Sequence, residues 1–258
     1  MGRTVARRPS PEKLIRIAAA ADVHFAPDTA GTLRPDLEHI AERADVFLLA
    51  GDLTRSGLAS EAEVLAEELD GLPIPIAAVL GNHDYHQDQQ AQVREALEAV
   101  GISVLDGESL SLDVAGQRIG VAGTTGFGGG FAGACATEFG EPVMKAFVRH
   151  TREEAASLRS CLEGLDADLR VALLHYSPVA DTLEGERLEI HAFLGSYLLA
   201  EAADEAGADL IVHGHAHGGR ERGLTPGGIP VRTVAQPVIR RAYALYELEA
   251  RARRRLAV

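Results

Sequence analysis

Gly81-Asn82-His83-Asp84 sets an amide, an imidazole and a carboxylate in succession directly after an apolar run, Ile74 to Leu80. Polar groups of the same kinds follow apolar runs elsewhere in the chain. They are Asp22-Val23-His24, Gly51-Asp52, His175-Tyr176 and Gly214-His215-Ala216-His217. Taken singly, Asp-x-His and Gly-Asp are ordinary turn sequences, and a lone histidine at a strand end is more often hydrogen-bonded than a ligand. Gly-Asn-His-Asp is rarer: average residue usage puts a specified tetrapeptide in roughly one chain per thousand of this length. His-x-His lets both imidazoles face one way on an extended segment. The weight lies in the joint pattern of Asp22, His24, Asp52, Asn82, His83, His175, His215 and His217.

Carboxylate, amide and imidazole together suit Zn, Mn or Fe, and the scarcity of cysteine argues against a structural zinc. Asp52 has two carboxylate oxygens and can bridge two ions about 3.5–4 Å apart. Two divalent ions, two carboxylates and one bridging hydroxide leave a net positive centre. Such a centre attracts phosphate, lowers the pKa of its water and holds an attacking oxygen in line. Neutral Asn82 and the imidazoles keep the positive charge that further carboxylates would cancel.

These groups need a common edge. Short apolar runs bounded by turn signals read as buried parallel strands, and open α/β sheets collect their ligands at the carboxyl ends of such strands. Strands are expected at Leu14–Ala21, Val46–Ala50, Ile74–Leu80, Val171–Leu174 and Leu210–Val212, each ending at one polar block. Helices are expected from Ser60, with Glu63 as a capping box, through Leu69, and over Gln89–Val100, Pro142–Leu165 and Phe193–Ala206. A weak helical period runs over Leu37–Ala41. Leu110–Val114 and Gln117–Ala122 read as a hairpin turning at Ala115-Gly116, and Val231–Ala235 and Ala242–Leu248 as closing strands. Alternation of strand and helix points to an α/β fold with crossover helices.

Some signals are weaker. Gly128-x-Gly130-x-x-Gly133 matches a dinucleotide fingerprint by letter but lacks its helix and acidic partner. Gly123–Gly133 therefore reads as a long, flexible surface loop near the site. Tyr85, His86 and Tyr176 flank the polar blocks; each lines the substrate side or simply packs. Glu189 and His191 follow His175 and are candidates for substrate contact. His213 reads as a hydrogen-bonded core residue, and His39 and His150 as surface residues on helices.

The chain has 258 residues, 46% hydrophobic and 24% charged, enough for a substantial core. A single domain over 14–258 is expected, preceded by a flexible basic arm over 1–13. A formal charge of −13 argues against non-specific binding to a nucleic-acid backbone. No apolar run approaches the length of a membrane span. Cys135 and Cys161 are expected to be free thiols in a cytoplasmic setting. The arginines at 251 and 253–255 read as a solvated tail.

The ordered set Asp22-x-His24, Gly51-Asp52, Gly81-Asn82-His83-Asp84, His175 and Gly214-His215-x-His217 resembles the calcineurin-like metallophosphoesterases, over most of the chain. The resemblance implies a four-layer α-β-β-α sandwich of two mixed sheets flanked by helices, with the site at one end. It implies one metal on Asp22, His24, Asp52 and His217, and a second on Asp52, Asn82, His175 and His215. His83 would contact the phosphate, beside Asn82, and assist the leaving oxygen as a general acid. Asp52 and His83 are then the catalytic pair, with Asn82, His83 and Tyr176 toward a small phosphate-ester substrate. Where the protein serine/threonine phosphatases of the superfamily read Gly-Asp-x-Val-Asp-Arg-Gly, this chain has Gly51-Asp52-Leu53-Thr54-Arg55-Ser56-Gly57, without the aspartate that would orient the histidine. It looks instead like the bacterial branch with the cyclic-nucleotide phosphodiesterases, in which Gly-Asp-Leu-Thr is common. Phosphodiester hydrolysis is the preferred expectation. A phosphomonoesterase at the same site and a catalytically silent scaffold are the alternatives, and the oligomeric state is open.

Overall fold

The computed structural model describes residues 14–114 and 116–249. The basic arm, Ala115 of the hairpin turn and the arginine tail lie outside them.

In chain order the elements are β1 (Leu14–Ala20), the one-turn helices α1 (Arg34–Leu37) and α2 (Ile40–Arg43), β2 (Val46–Ala50), α3 (Ala59–Leu69), β3 (Ile76–Val79), α4 (Gln90–Glu98), β4 (Ser103–Val104), β5 (Glu108–Val114) and β6 (Gln117–Thr124). Then come β7 (Gly130–Phe131), β8 (Ala134–Cys135), α5 (Pro142–Gly164), β9 (Leu169–Leu174), α6 (His191–Leu194), α7 (Tyr197–Ala206), β10 (Leu210–His213), β11 (Arg222–Leu224), β12 (Pro230–Thr233), α8 (Gln236–Ile239) and β13 (Ala244–Glu249). One sheet runs β13-β1-β2-β3-β4 and the other β11-β12-β10-β9-β6-β5. Both are mixed. The interior strands run parallel, while β13, β11 and β5 pair antiparallel at the edges.

Strand alternation explains the layers. From β1, Ile15, Ile17 and Ala19 point between the sheets, where they meet Val121, Val171, Leu173 and Val212. Ala18 and Ala20 point the other way, into a layer with Leu37, Ile40, Leu65 and Leu97 from the helices on that side. The second sheet does the same: Ala172, Leu174 and Ile211 pack on Leu158 and Leu162 of α5 and Leu199 and Ala203 of α7. Full burial of one such leucine or isoleucine is worth roughly 1.5–3 kcal/mol. A one-residue slip of β1 would exchange its two faces, so the register is well specified. The result is the helix-sheet-sheet-helix order that the family resemblance implied. Among the described residues, no helix is long and apolar enough to cross a membrane.

Three local expectations are corrected. Ser60 does not cap α3. The helix starts at Ala59, and Glu61 reaches back so that its Oε2 accepts the Ser56 and Leu58 backbone N–H groups at 2.7 and 3.4 Å. The stretch Phe193–Ala206 is broken at Gly195, whose Cβ position would lie 1.9 Å from the Ser177 carbonyl oxygen, and α7 begins after Ser196, whose Oγ accepts from the Leu198 N–H. Gly123–Gly133 is not a surface loop. Gly126 and Gly128–Phe131 are buried, Gly130 and Phe131 pair with Cys135 and Ala134, and the Thr125 carbonyl accepts both the His175 and Tyr176 N–H groups at 3.0 Å.

Cys135 and Cys161 are both free thiols. His39 is exposed. His213 is buried as a core residue: Nδ1–H donates to the Gly214 carbonyl at 2.7 Å, and Nε2 lies 2.9 Å from both the Thr182 and Thr233 hydroxyls. Burial pushes its pKa down to about 4, so this imidazole is neutral.

Candidate metal centre

The loops after β1 and β2 interlock because these strands are parallel neighbours. Asp22 N–H donates to the Gly51 carbonyl at 3.0 Å and His24 N–H to the Asp52 carbonyl at 3.1 Å. The chain then turns sharply. Asp22, His24, Asp52 and His215 have positive φ, at 56, 44, 49 and 67°. A left-handed non-glycine residue costs roughly 1 kcal/mol or more and persists only where its surroundings hold it, which marks functional sites.

Two sets of donor atoms result. Asp22, His24, Asp52 and His217 bring one atom each within 4.8 Å of one another, and Asp52, His175 and His215 do the same. Asp52 belongs to both. Asn82 joins the second set, its Oδ1 lying 2.9 Å from His175 Nε2. All seven residues read from the sequence as ligands therefore converge.

The proton inventory says what belongs between them. His175 Nδ1–H donates to the Ala50 carbonyl at 2.9 Å, which leaves the Nε2 lone pair facing Asn82 Oδ1 and, at 3.3 Å, Asp52 Oδ1. Three lone pairs pointing at one space repel one another, and a cation turns that arrangement into coordination. His215 Nε2–H is aimed at the Phe193 carbonyl at 3.3 Å, so Nδ1 carries its lone pair. Burial pushes His215 down to about 3, which keeps that ring neutral, and holds His24 below the ordinary imidazole value. Burial raises the Asp52 carboxyl, but the imidazoles of His175, His83 and His24 and the His83 N–H outweigh it, and the net shift is downward. The hydrogen bond from His217 Nε2 to Asp22 Oδ1, at 2.9 Å, raises His217. Imidazoles beside carboxylates are the donor chemistry of Mn, Fe and Zn sites.

The glycines of the polar blocks are explained by close approach. A Cβ on Gly51 would sit 2.5 Å from His175 Nδ1, and one on Gly214 would sit 2.5 Å from Asp22 Oδ2. On Gly81 it would lie 2.2 Å from both Asp52 N and Asp52 Oδ1. Gly81→Ala is thus expected to displace Asp52. Metal analysis should show at least about tenfold weaker retention, with a stability loss of about 1–3 kcal/mol on thermal melting, the usual cost of overpacking.

His83 follows Asn82 on a 3-10 turn, with its N–H on Asp52 Oδ1 at 2.9 Å. Its Nδ1 lies 2.8 Å from the Arg55 carbonyl oxygen, so Nδ1 carries the proton and Nε2 faces the donors, 4.0 Å from Asp52 Oδ2. A backbone carbonyl thus does the orienting for which the block 51–57 has no second aspartate.

Asp84 is a positioning residue that the sequence reading passed over. It is fully buried, and it accepts the N–H groups of Leu53, Thr54 and Gly81 at 3.1, 2.8 and 2.8 Å and the Thr54 hydroxyl at 2.5 Å. It ties the Asp52 loop to the Asn82 loop, and Thr54 of Gly-Asp-Leu-Thr is its partner. The signal was present as the last letter of Gly-Asn-His-Asp.

Tyr176 is buried with its ring centroid 4.4 Å from that of His215. Together with Asn82 and Tyr85 it lines a cavity of about 330 Å³. His150 is exposed on α5, as expected of a surface residue, and also lines this cavity against Phe127, at 4.5 Å between ring centroids. His86 stacks on His83 at 4.5 Å. Glu189 is exposed, and neither it nor His191 belongs to either donor set.

Set beside known proteins, residues 15–219 match the model of the calcineurin-like phosphoesterase family. A Caenorhabditis elegans protein named as a metallophosphoesterase is 24% identical over 216 residues, 82% of this chain and 38% of that protein. This chain therefore spans well under half the length of that relative. The phosphopantetheinyl hydrolase of Mycobacterium tuberculosis superposes with a TM-score of 0.64 at 16% identity, covering 90% of this chain and 95% of its own. The protein TT1561 of Thermus thermophilus gives a TM-score of 0.51 at 16% identity, with 93% of this chain and 100% of that one covered. At these identities the likeness shows the fold.

Proposed function

The chain belongs to the calcineurin-like phosphoesterase family, and from that premise we propose that it is a binuclear metal-dependent hydrolase of phosphodiesters. One ion fits Asp22, His24, Asp52 and His217, and the other fits Asp52, Asn82, His175 and His215. Bound there, two divalent ions of Mn, Fe or Zn would supply Lewis acidity to the phosphoryl oxygens and activate water at neutral pH.

The residues do the rest. Asp52 joins the two sets through its two oxygens. Asn82 contributes an oxygen without charge, so the centre stays positive toward a phosphate. His83 presents Nε2 to the site, and protonated there it donates to the departing oxygen. Its fixed Nδ1–H to the Arg55 carbonyl holds that nitrogen in place.

One observation carries the preference for diesters. The cavity that adjoins the donor residues is lined by no lysine or arginine among the described residues. A monoester dianion brings one more negative charge than a diester, and the side chains here offer it no cationic clamp. Rates on bis(nitrophenyl) phosphate and nitrophenyl phosphate, with Mn²⁺ supplied, test this. The diester is expected to turn over faster; faster hydrolysis of the monoester overturns the preference.

A further inference from the structure

The cavity of about 330 Å³ beside the metal centre has a chemistry of its own. It shares Asn82 with the second donor set, and Tyr176 forms the wall next to His215. An ester whose phosphorus lies at the donors has an organic group within reach of this space. The volume is at the lower end of small-molecule sites. A larger hollow of about 690 Å³ near Arg94 and Cys161 includes none of the donor residues.

Rings dominate the walls. Phe127 lies against Tyr176 at 5.8 Å and His150 at 4.5 Å between centroids, and Tyr85 lines the space as well. Two carboxylates complete it, Asp106 and Glu154, and no lysine or arginine lines it to offset them. Glu154 is anchored from behind, its Oε2 accepting the Thr124 hydroxyl and, at 3.1 Å, the Gly126 N–H. Burial raises the Tyr85 hydroxyl pKa against a hydrogen bond with Thr125, and Asp106 and Glu154 both add to the rise.

Aromatic faces with uncompensated carboxylates recognise organic cations. An anionic group would meet repulsion, and a neutral alkyl group would leave both carboxylates without a counter-charge. A positive metal centre next to a negative cavity also matches a zwitterionic ester, with its phosphate on one side and its ammonium on the other. We propose that this cavity is a subsite for a protonated or quaternary amine carried by the substrate's alcohol, and that Glu154 and Asp106 set that specificity. The inference rests on the phosphodiesterase reading above.

The test compares nitrophenyl phosphocholine with its uncharged isostere, in which tert-butyl replaces trimethylammonium. Both are diesters with one leaving group. The charged ester is expected to show kcat/KM higher by roughly tenfold or more, the scale of a desolvated cation–π contact. The gain should lie in KM, because the ammonium takes no part in bond breaking. Glu154→Gln and, at an exposed position, Asp106→Asn should each lower the ratio of the two esters at least about threefold. In saturation-transfer NMR, choline should contact the wild-type protein more strongly than tert-butyl ethanol does. Equal efficiency on both esters, a ratio unmoved in both variants, or equal transfer to the two alcohols overturns the subsite while leaving phosphodiester hydrolysis standing. Failure to hydrolyse either ester or bis(nitrophenyl) phosphate with Mn²⁺, Fe²⁺ or Zn²⁺ supplied removes the parent reading and the subsite with it.

Discussion

Asp52→Ala is expected to empty both metal positions and abolish phosphoester hydrolysis. Asp52 is the one residue common to both donor sets, and it is 1% exposed. Its removal takes an anionic oxygen from each set, leaving Asp22, His24 and His217 in one and only the amide of Asn82 and the imidazoles of His175 and His215 in the other. It also frees the His83 N–H, which donates to Asp52 Oδ1 at 2.9 Å. Loss of an outer partner of a ligand costs roughly 10–100-fold in affinity or activity, and loss of a shared ligand should exceed that range. Elemental analysis after dialysis, beside a circular-dichroism melt to show that the fold survives, measures the effect. A folded Asp52→Ala protein that retains two ions per chain would refute the assignment. Asp52→Asn is the sharper companion, since it keeps the shape and removes the charge.

His83→Ala should behave in the opposite way, with metal content unchanged and rate lost. His83 stands outside both donor sets, and its imidazole is held by the Arg55 carbonyl rather than by a ligand. General acid catalysis contributes typically about 10²–10⁴-fold, and most where the leaving oxygen is a poor one. The loss should therefore grow from a nitrophenyl ester to an alkyl ester across a series of leaving groups. Retained full activity on an alkyl ester would exclude the general-acid role. Because His83 also stacks on His86 and lies 4.6 Å from His24 between ring centroids, metal analysis is needed to separate lost chemistry from a disturbed site.

The donors were legible in the sequence because each polar block sits at the end of an apolar run that can only be buried. β1, β2, β3, β9 and β10 were each recognisable by composition, and the parallel order follows from the intervening helices. Local turn chemistry was read less well. Ser60 has the right letters for a cap, but Glu61 is nearer to the unpaired N–H groups of residues 56 and 58. The break at Gly195 depends on the Ser177 carbonyl, a contact across the fold that no periodicity records.

What the chain determines by itself is the list of candidate ligands and the sheets that gather them. Hydrophobic period and chain order are local properties, and parallel strands deliver their C-terminal loops to one edge. Tertiary structure alone decided the orientation of His83, which rests on a carbonyl in another loop, the burial of Gly126 and Gly128–Phe131, and the bond from the His175 N–H to the Thr125 carbonyl. It also decided the companions of Tyr176 in the cavity: Glu154 from a long helix, Asp106 from a loop before β5 and Phe127 from a glycine run. Those groups are scattered along the chain in ordinary contexts, and only packing brings them together around one cavity.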